Sequence, residues 1–274
     1  GLGDVYKRQV LCCTPTEYRM MAKLSNLNDY HLELLHSAVS AGEPLNREVV
    51  EQFKNNFNLT VRDGYGQTES TLLIGFLKDT EPRPGSMGKG IPGSFVTIID
   101  DDGNEVPPQT KGNIAVPLDL PALFKGYYKD EERTKAAAAG YYYVTGDLAH
   151  KDEDGYFWFE GRRDDIIISS GYTIGPFEVE DALTNHPAVK ECAVVASPHE
   201  IRGNIVKAFI ILQNNYEGND ELVKELQTFC KNEVAPYKYP RAIEFVDDLP
   251  KTNSGKIRRV ELRDAEIAKY NNRD

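Results

Sequence analysis

The segment Leu59–Glu69, LTVRDGYGQTE, indicates the fold class of this chain and suggests the kind of ligand it binds. Leu59–Arg62 is a short run typical of a strand, and it leads into Gly64–Glu69, which joins small residues to a hydroxyl and a carboxylate. The hydroxyl could bond a phosphate oxygen, and Glu69 could hold a Mg2+ ion that bridges phosphates. The same residues could also form a polar turn between two strands.

Two helix patterns and one strand pattern precede this segment. Thr16–Leu24 favours a helix, and Leu45–Phe57 carries apolar residues at helical spacing. Between them, the apolar run His31–Ser40 predicts a strand that leads into the turn signal Ala41–Pro44. This alternation of helix and strand is typical of an α/β fold.

From about residue 84 to 160 the pattern changes to short strands separated by turn residues. Phe95–Ile99 and Tyr156–Phe159 are apolar runs, and polar clusters such as Asp101–Asn104 lie between such runs. This texture predicts an antiparallel β region. Gly88–Gly93 has the glycine spacing of a dinucleotide site, but prolines surround it and a strand follows, so it predicts a glycine-rich turn.

After Gly171 the chain again alternates between helices and strands. The predicted elements are a helix opening at Gly175-Pro176, strands at Glu191–Ala196, Val206–Leu212 and Ile243–Val246, and a helix from Asn219-Asp220 to Val234. We place a domain boundary at Asp164, with residues 10–163 before it and a small α/β domain over residues 164–274 after it.

Composition and charge exclude several classes of protein. Apolar residues make up 40% of the 274 residues and charged residues 27%, as in ordinary globular domains. The net charge of −11 repels a polyanion, so no nucleic-acid partner is expected. The four cysteines lack metal-ligand spacing. No apolar run approaches the about 20 residues of a membrane span, and no signal-peptide pattern is present, so we expect a cytoplasmic protein.

Two further motifs carry groups suited to a phosphorylated ligand. Lys251–Arg259 holds four cations in nine residues. It is either a solvated basic loop or a source of a mobile lysine whose charge stabilises a transferring phosphoryl group. Thr145–Asp147 places a carboxylate after a strand, where it could accept hydrogen bonds from ribose hydroxyls or cap a turn.

In their order and spacing these segments resemble the adenylate-forming superfamily, which includes acyl-CoA synthetases, peptide-synthetase adenylation domains and beetle luciferases. The resemblance is carried by Ala41–Pro44, Gly64–Glu69, Gly85–Gly88, Thr145–Asp147, Gly161–Asp165 and Pro250–Lys256. Leu123–Tyr128, Gly175–Glu180 and Ala235–Arg241 are most similar to acetyl- and medium-chain acyl-CoA synthetases. The resemblance implies part of a large α/β domain, with a β-barrel-like subdomain at about 84–160, and then a small α/β lid domain.

The resemblance further implies which residues bind ATP and Mg2+. The implied nucleotide site consists of Gly42, Glu43 and Pro44 beside the adenine, Asp63 facing its amino group, Tyr65 stacked on the ring, Gly64 and Gln67 nearby, Thr68 at the α-phosphate, and Asp147 and Arg162 at the ribose. Glu69 is implied to bind Mg2+, and Thr68, Glu69 and Lys256 are the implied catalytic residues.

The implied reaction has two steps. A carboxylate attacks the α-phosphorus of ATP; because two anions meet, Lys256 and Mg2+ neutralise charge while pyrophosphate leaves. The small domain then turns about Asp164, the hinge, and the CoA thiol attacks the acyl-adenylate. Gly171 is implied to lie beside the pantetheine of CoA, and Lys231 beside one of its phosphates.

Two departures from the family pattern affect this interpretation. Thr173 stands where the family usually has Arg or Lys, which removes a possible phosphate or acyl-adenylate contact and puts full activity in question. The Ser/Thr/Gly-rich loop that cradles the ATP phosphates is absent and is expected upstream. Residues 1–9 fit no pattern and are interpreted as an unrelated leader. We therefore expect the C-terminal part of a synthetase that does not make acyl-CoA by itself.

Two other functions fit the same residues. An adenylation domain that loads a carrier protein uses the same first step, and a non-catalytic nucleotide-binding protein would explain Thr173. For the synthetase, the expected partners are small molecules: ATP, a carboxylic acid and CoA.

Overall fold

The computed structural model describes residues 9–24, 26–30, 32, 34–252 and 255–272. Residues 1–8 of the predicted leader, His31 and Glu33 of the predicted strand, Asn253 and Ser254 of the basic motif, and Arg273 and Asp274 of the predicted small domain lie outside the described residues. The chain separates into two compact units, one ending at Phe159 and one beginning at Glu160. The domain boundary at Asp164 stays a prediction.

The first unit is built on one large sheet with short helices. Its elements are β1 (Val10–Cys13), α1 (Pro15–Ala22), β2 (Ser37–Ala41), α2 (Arg47–Phe57), β3 (Val61–Gln67), β4 (Thr71–Gly75), β5 (Gly88–Gly90), β6 (Thr97–Ile99), β7 (Gly112–Pro117), α3 (Glu131–Ala136), β8 (Ala138–Ala139), β9 (Tyr142–Lys151) and β10 (Tyr156–Arg162), the last of which runs into the second unit.

The strand order of this sheet is β1-β2-β3-β4-β5-β10-β9-β7-β6, with β8 paired to β9. Strands β1, β2 and β3 are parallel, and the β3–β4, β4–β5 and β7–β9 pairs are antiparallel. The α/β pattern and the antiparallel region predicted from the sequence are thus both present. The barrel-like form of the β subdomain stays a prediction.

Helices α1 and α2 pack on the parallel strands, as the sequence pattern predicts. Thr14 and Glu17 form a capping box at the start of α1, in which the Glu17 carboxylate accepts from the Thr14 amide at 2.8 Å. The α2 residues Val49, Val50 and Phe53 are buried in one apolar cluster with Tyr18 of α1. This packing holds the loop between β2 and α2 at the sheet's edge.

Three predicted boundaries in the first unit are wrong, and Asp147, which was predicted to follow a strand, lies within β9. Among its described residues, the strand predicted over His31–Ser40 begins only at Ser37, where pairing with β1 begins, and Leu34 is 45% exposed. The strand predicted from Phe95 begins at Thr97, since Phe95 has a φ of 49° and is 72% exposed.

The third boundary concerns Gly64–Glu69. Strand β3 continues to Gln67, and the turn to β4 is restricted to Thr68–Ser70. The ladder shifts register between Tyr65 and Gly66, and a Cβ on Gly66 would lie 1.9 Å from the Thr71 carbonyl oxygen. Glycine is therefore required at this bulge, where the two backbones approach closely.

The second unit is a three-stranded sheet with helices and a separate hairpin. Its elements are β11 (Ile167–Ser169), β12 (Tyr172–Ile174), α4 (Pro176–Thr184), β13 (Val189–His199), β14 (Gly203–Leu212), α5 (Asp220–Glu233), β15 (Ala242–Phe245) and α6 (Arg259–Asn271). Strand β14 pairs antiparallel to β13 and parallel to β15.

The core of the second unit lies between its sheet and helices α4 and α5. Leu183 of α4, Leu226 of α5 and Ile210 of β14 are fully buried there. Helix α4 begins at Pro176 and α5 is capped by Asn219, whose side chain accepts from the Leu222 amide at 2.8 Å. Both helix starts were predicted from these residues. Among the described residues, no helix is both long enough and apolar enough to cross a membrane.

Candidate functional site

The candidate nucleotide residues on β3 and in the loop after β2 lie at the carboxyl ends of parallel strands, whereas Asp147 lies on the antiparallel strand β9. Ala41 at the end of β2 pairs with Gly64 on β3, so the loop Gly42–Pro44 lies beside Asp63 and Tyr65. Open α/β sheets bind ligands at this edge, where strand ends leave backbone groups and loop side chains exposed.

The Glu43 side chain is hydrogen-bonded to two residues of helix α1. Its Oε2 atom accepts from the Thr16 hydroxyl at 2.9 Å and from Arg19 at 3.0 Å. Its Oε1 atom is buried and has no hydrogen-bond partner among the described residues. Because the carboxylate is tied to α1, the backbone of Gly42–Pro44 is the part of this loop best placed to line a flat ring.

Asp63 is buried beside this loop, with 8% of its surface exposed. Burial raises the pKa of its carboxyl to about 7, although the Gly64 and Leu45 amides act in the opposite direction. The Gly64 amide donates to Oδ1 at 3.0 Å. A carboxyl with such a pKa changes charge near neutral pH, and its ionised form can accept hydrogen bonds from an amino group.

Tyr65, Gln67 and Asp147 form one hydrogen-bonded cluster. The Tyr65 hydroxyl and Gln67 Nε2 both donate to Asp147 Oδ2 at 2.7 Å. Gln67 Nε2 also donates to the Thr145 carbonyl at 2.9 Å, and the Tyr143 hydroxyl donates to Gln67 Oε1 at 3.1 Å. Burial and the Asp147 charge raise the pKa of Tyr65 well above its ordinary value, so the phenol stays a donor.

This cluster joins the sequence segments 64–69 and 145–147 in space. Tyr65 and Asp147 are 82 residues apart in the chain. Tyr143 belongs to the cluster but was not predicted as a site residue. The only hint in the sequence was the tyrosine run at 141–143, which carries no ligand signature.

Thr68 and Glu69 lie in the turn between β3 and β4. Thr68 is exposed and Glu69 is half-buried. The Phe124 amide donates to the Glu69 carbonyl at 2.7 Å, and the Tyr127 hydroxyl donates to Glu69 Oε1 at 3.0 Å. Tyr127 was not singled out from the sequence, although it lies in the segment 123–128 that carried part of the resemblance.

Glu69 fits a Mg2+ site that is completed by a substrate. Among the described residues there is no group of three or more His, Cys, Asp or Glu side chains that could hold a metal by itself. Mg2+ is ordinarily held by one or two carboxylates together with substrate phosphates. A single partly exposed carboxylate with one oxygen engaged by Tyr127 therefore suits this ion.

The remaining predicted site residues belong to the second unit. Gly171 and Ser170 form the two-residue turn of the β11–β12 hairpin with φ values of 83° and 50°, as a type I′ turn requires. Apart from its two chain neighbours, no atom of the described residues lies within 4 Å of a Cβ built on Gly171. Thr173 is exposed on β12.

Arg162 and Asp164 lie where β10 ends. Arg162 is exposed, and the next three residues form a single helical turn. The Asp164 carbonyl accepts from Arg263 of α6 at 2.7 Å, and the Asp165 carboxylate accepts from the same guanidinium at 3.0 Å. Helix α6 therefore holds the residue that was predicted as a hinge.

Lys231 and Lys256 are both exposed. The Lys231 ammonium lies 4.1 Å from the centre of the Tyr239 ring, in cation–π geometry. Lys256 lies in a loop closed by a bridge between Lys251 and Ile257, and its amide donates to the Thr252 hydroxyl at 3.1 Å. The Lys256 backbone is thus hydrogen-bonded to Thr252, and its side chain is exposed.

Helix α6, which follows this loop, is anchored by an ion pair that was not predicted. Arg259 Nε and Nη2 donate to Glu180 of α4 at 2.8 and 2.5 Å. Glu180 Oε1 also accepts from the Val194 amide at 2.8 Å. Glu180 is 6% exposed, so this is a buried connection between α4, β13 and α6.

Comparison with known proteins agrees with this fold and these motifs. A family model described as AMP-binding enzyme matches residues 3–128, and one described as AMP-binding enzyme C-terminal domain matches residues 178–256. The chain belongs to the AMP-binding enzymes of the adenylate-forming superfamily.

Its relatives include named acyl-CoA ligases. It is 66% identical over 261 residues to YtcI of Bacillus subtilis (strain 168), an uncharacterized acyl-CoA ligase, covering 95% of this chain and 49% of the relative. It is 49% identical over 263 residues to the mitochondrial acyl-coenzyme A synthetase ACSM3 of Mus musculus, covering 94% of this chain and 45% of that protein. The chain thus spans about half the length of these relatives.

Solved structures with this fold include two CoA ligases. The anthranilate CoA ligase AuaEII in complex with anthranoyl-AMP matches with a TM-score of 0.89 and 35% identity, over 97% of this chain and 51% of that one. The benzoate CoA ligase from Burkholderia xenovorans LB400 matches with a TM-score of 0.83 and 33% identity, over 94% of this chain and 51% of that one.

Proposed function

We propose that this chain is the C-terminal part of an ATP-dependent, AMP-forming acyl-CoA synthetase. The enzyme would join a carboxylate to ATP, release pyrophosphate, and transfer the acyl group from the adenylate to CoA. The names of the relatives and the match to a C-terminal family model support this assignment. We take residues 10–163 as part of the large domain, with the β subdomain at about 84–160, and residues 164–274 as the small domain.

The observation that carries the proposal is the cluster at Asp147. A buried carboxylate receives two donors from β3, the strand that also carries Asp63. Buried carboxylates held by hydrogen bonds are rigid acceptors, which suits the recognition of ribose hydroxyls. In the proposed complex Asp63 accepts from the adenine amino group, and Gly42–Pro44 line the ring.

Tyr65 would contact the adenine with its ring face. Because its hydroxyl is fixed on Asp147, the orientation of the ring is set before the nucleotide arrives. Such pre-organisation lowers the entropic cost of binding. Gly64 and Gln67 would support the same site, Gln67 through its bonds to Asp147 and Thr145.

The phosphates would lie at the turn after β3. The exposed Thr68 hydroxyl would donate to the α-phosphate, and Glu69 would hold Mg2+. When bound, the ion would neutralise charge on the phosphates. At this turn the chain itself contributes the Glu69 carboxylate. Tyr127 donates a hydrogen bond to that carboxylate, and the Phe124 amide donates one to the Glu69 carbonyl.

The small domain would supply Lys256 to the first half-reaction and the CoA contacts to the second. The Lys256 ammonium would approach the reacting phosphate, where a point charge stabilises developing negative charge. Arg162 would contact the ribose. Rotation about Asp164 would then withdraw Lys256 from the reacting centre and bring the Gly171 backbone to the site where CoA binds. Lys231 would meet a CoA phosphate. The cytoplasmic location stays a prediction, since the mouse relative is named as mitochondrial.

The test is Lys256→Ala in the full-length protein. We expect adenylation, measured as acid-dependent exchange of pyrophosphate into ATP, to fall about 100-fold or more, the usual loss for one charge-stabilising donor. Thioester formation from a preformed acyl-adenylate should be little changed. Lys251→Ala is the matched control, because Lys251 lies in the same loop but pairs with Glu191 at 2.7 Å.

Equal loss in both half-reactions would refute the role of Lys256. ATP binding without pyrophosphate exchange for any carboxylic acid in the wild-type protein would instead support the non-catalytic function. Transfer to a carrier-protein thiol in preference to CoA would favour the carrier-loading alternative.

A further inference from the structure

The segment that follows β7 holds Glu69 at two points. The Phe124 amide donates to the Glu69 carbonyl at 2.7 Å, and the Tyr127 hydroxyl donates to Glu69 Oε1 at 3.0 Å. Glu69 and Tyr127 are 58 residues apart in the chain. The backbone and side chain of the same residue are therefore fixed by one remote segment.

Tyr127 is itself fixed on three sides. Its amide donates to the Thr134 hydroxyl at 2.9 Å. Its ring meets Phe124 edge-on at 4.9 Å, and the Arg133 guanidinium lies 3.9 Å from the ring centre. A half-buried phenol held in this way has little rotational freedom, so the position of its hydroxyl is set before any ligand binds.

The hydrogen bond from Tyr127 makes the two carboxylate oxygens of Glu69 inequivalent. Oε1 is engaged by Tyr127, while Oε2 has no hydrogen-bond partner within the described part of the chain. A carboxylate bonded in this way presents one oxygen in one direction, and partners of this kind commonly control metal affinity. Tyr127 makes no direct contact with a nucleotide in the proposed mechanism.

We propose that Tyr127 is a positioning residue that fixes Glu69 to bind the Mg2+ of Mg-ATP through a single oxygen. This inference rests on the proposed function. It predicts that loss of the Tyr127 hydroxyl changes the requirement for Mg2+ rather than the binding of ATP itself.

The test is Tyr127→Phe in the full-length protein, with Tyr128→Phe as the matched control. Tyr128 is the neighbouring tyrosine and is 87% exposed. In Tyr127→Phe the Mg2+ concentration for half-maximal pyrophosphate exchange should rise about 10-fold, the lower end of the effect of losing such a partner. Tyr128→Phe should match the wild type.

A second readout does not depend on activity. Titration calorimetry with ATP in the presence of EDTA should give the same affinity for wild type and Tyr127→Phe, while the gain in affinity on adding Mg2+ should shrink in the variant. Thr134→Val removes the bond that holds the Tyr127 amide, and it should shift the Mg2+ requirement in the same direction by a smaller factor.

Two outcomes would overturn the inference. One is a Tyr127→Phe variant that loses activity at every Mg2+ concentration with an unchanged half-maximal value, which indicates a structural role alone. The other is an unchanged gain in ATP affinity on adding Mg2+. If the wild type catalyses no exchange with any acid, the proposed function fails, and calorimetry alone then decides the role of Tyr127.

Discussion

Replacing Asp63 by Asn should remove a pH dependence from the stability of the first unit. The Asp63 side chain is buried, and burial raises its pKa to about 7. In an unfolded chain an aspartate titrates near about 3.9. The folded state therefore holds this proton more tightly than the unfolded state does.

The sign follows from the two pKa values. Between about pH 4 and 7 the folded state binds more protons, so the free energy of unfolding falls as the pH rises through this window. Below it both states are protonated, and above it both are ionised. With about 1.4 kcal/mol for each pH unit, the full effect is at most about 4 kcal/mol.

Asparagine resembles the protonated carboxyl in shape and cannot ionise. Asp63→Asn should therefore match the wild type near pH 4 and be more stable near pH 8 by up to about 4 kcal/mol. Urea denaturation followed by tryptophan fluorescence measures this difference for the first unit, because the single tryptophan of the chain, Trp158, lies in that unit.

The matched control is Asp79→Asn, at an exposed aspartate of the same unit. Its stability should follow the wild-type curve at every pH. A stability difference between wild type and Asp63→Asn that does not change with pH would show that Asp63 has the same pKa in the folded and unfolded states, and would refute the link between its burial and its pKa.

Two further predictions concern the hydrogen-bonded carboxylates. Asp147→Ala leaves the donors of Tyr65 and Gln67 without their acceptor, so the first unit should lose about 2 kcal/mol in the same urea assay; a loss below about 0.5 kcal/mol would contradict the geometry of this cluster. Glu180→Ala leaves Arg259, whose side chain is 24% exposed, without its carboxylate and the Val194 amide without its acceptor, so the second unit should lose about 2–3 kcal/mol in denaturation followed by circular dichroism. The double variant Glu180→Met with Arg259→Met should recover part of that loss, because the Val194 amide stays without its acceptor; no recovery would refute the explanation by an unpaired charge.

Local signals predicted α1, α2, α4 and α5 and the type of sheet, but not the short helix α3. Apolar spacing and end residues located α2, α4 and α5, because an amphipathic helix and its cap are determined by residues a few positions apart. Alternating short runs and turn residues likewise indicated the antiparallel region. Strand limits such as Ser37 and Thr97 were missed, since a strand begins where a partner strand begins to pair.

The sequence by itself determined the family and the candidate residues, because the order and spacing of the motifs can be read directly along the chain. The tertiary structure alone decided that Tyr65 and Gln67 meet Asp147, and that Tyr127 meets Glu69. It also decided that Asp63 is buried enough to titrate near neutral pH. These properties depend on segments that are distant in sequence, and folding brings those segments together by burying apolar surface that no single segment could cover.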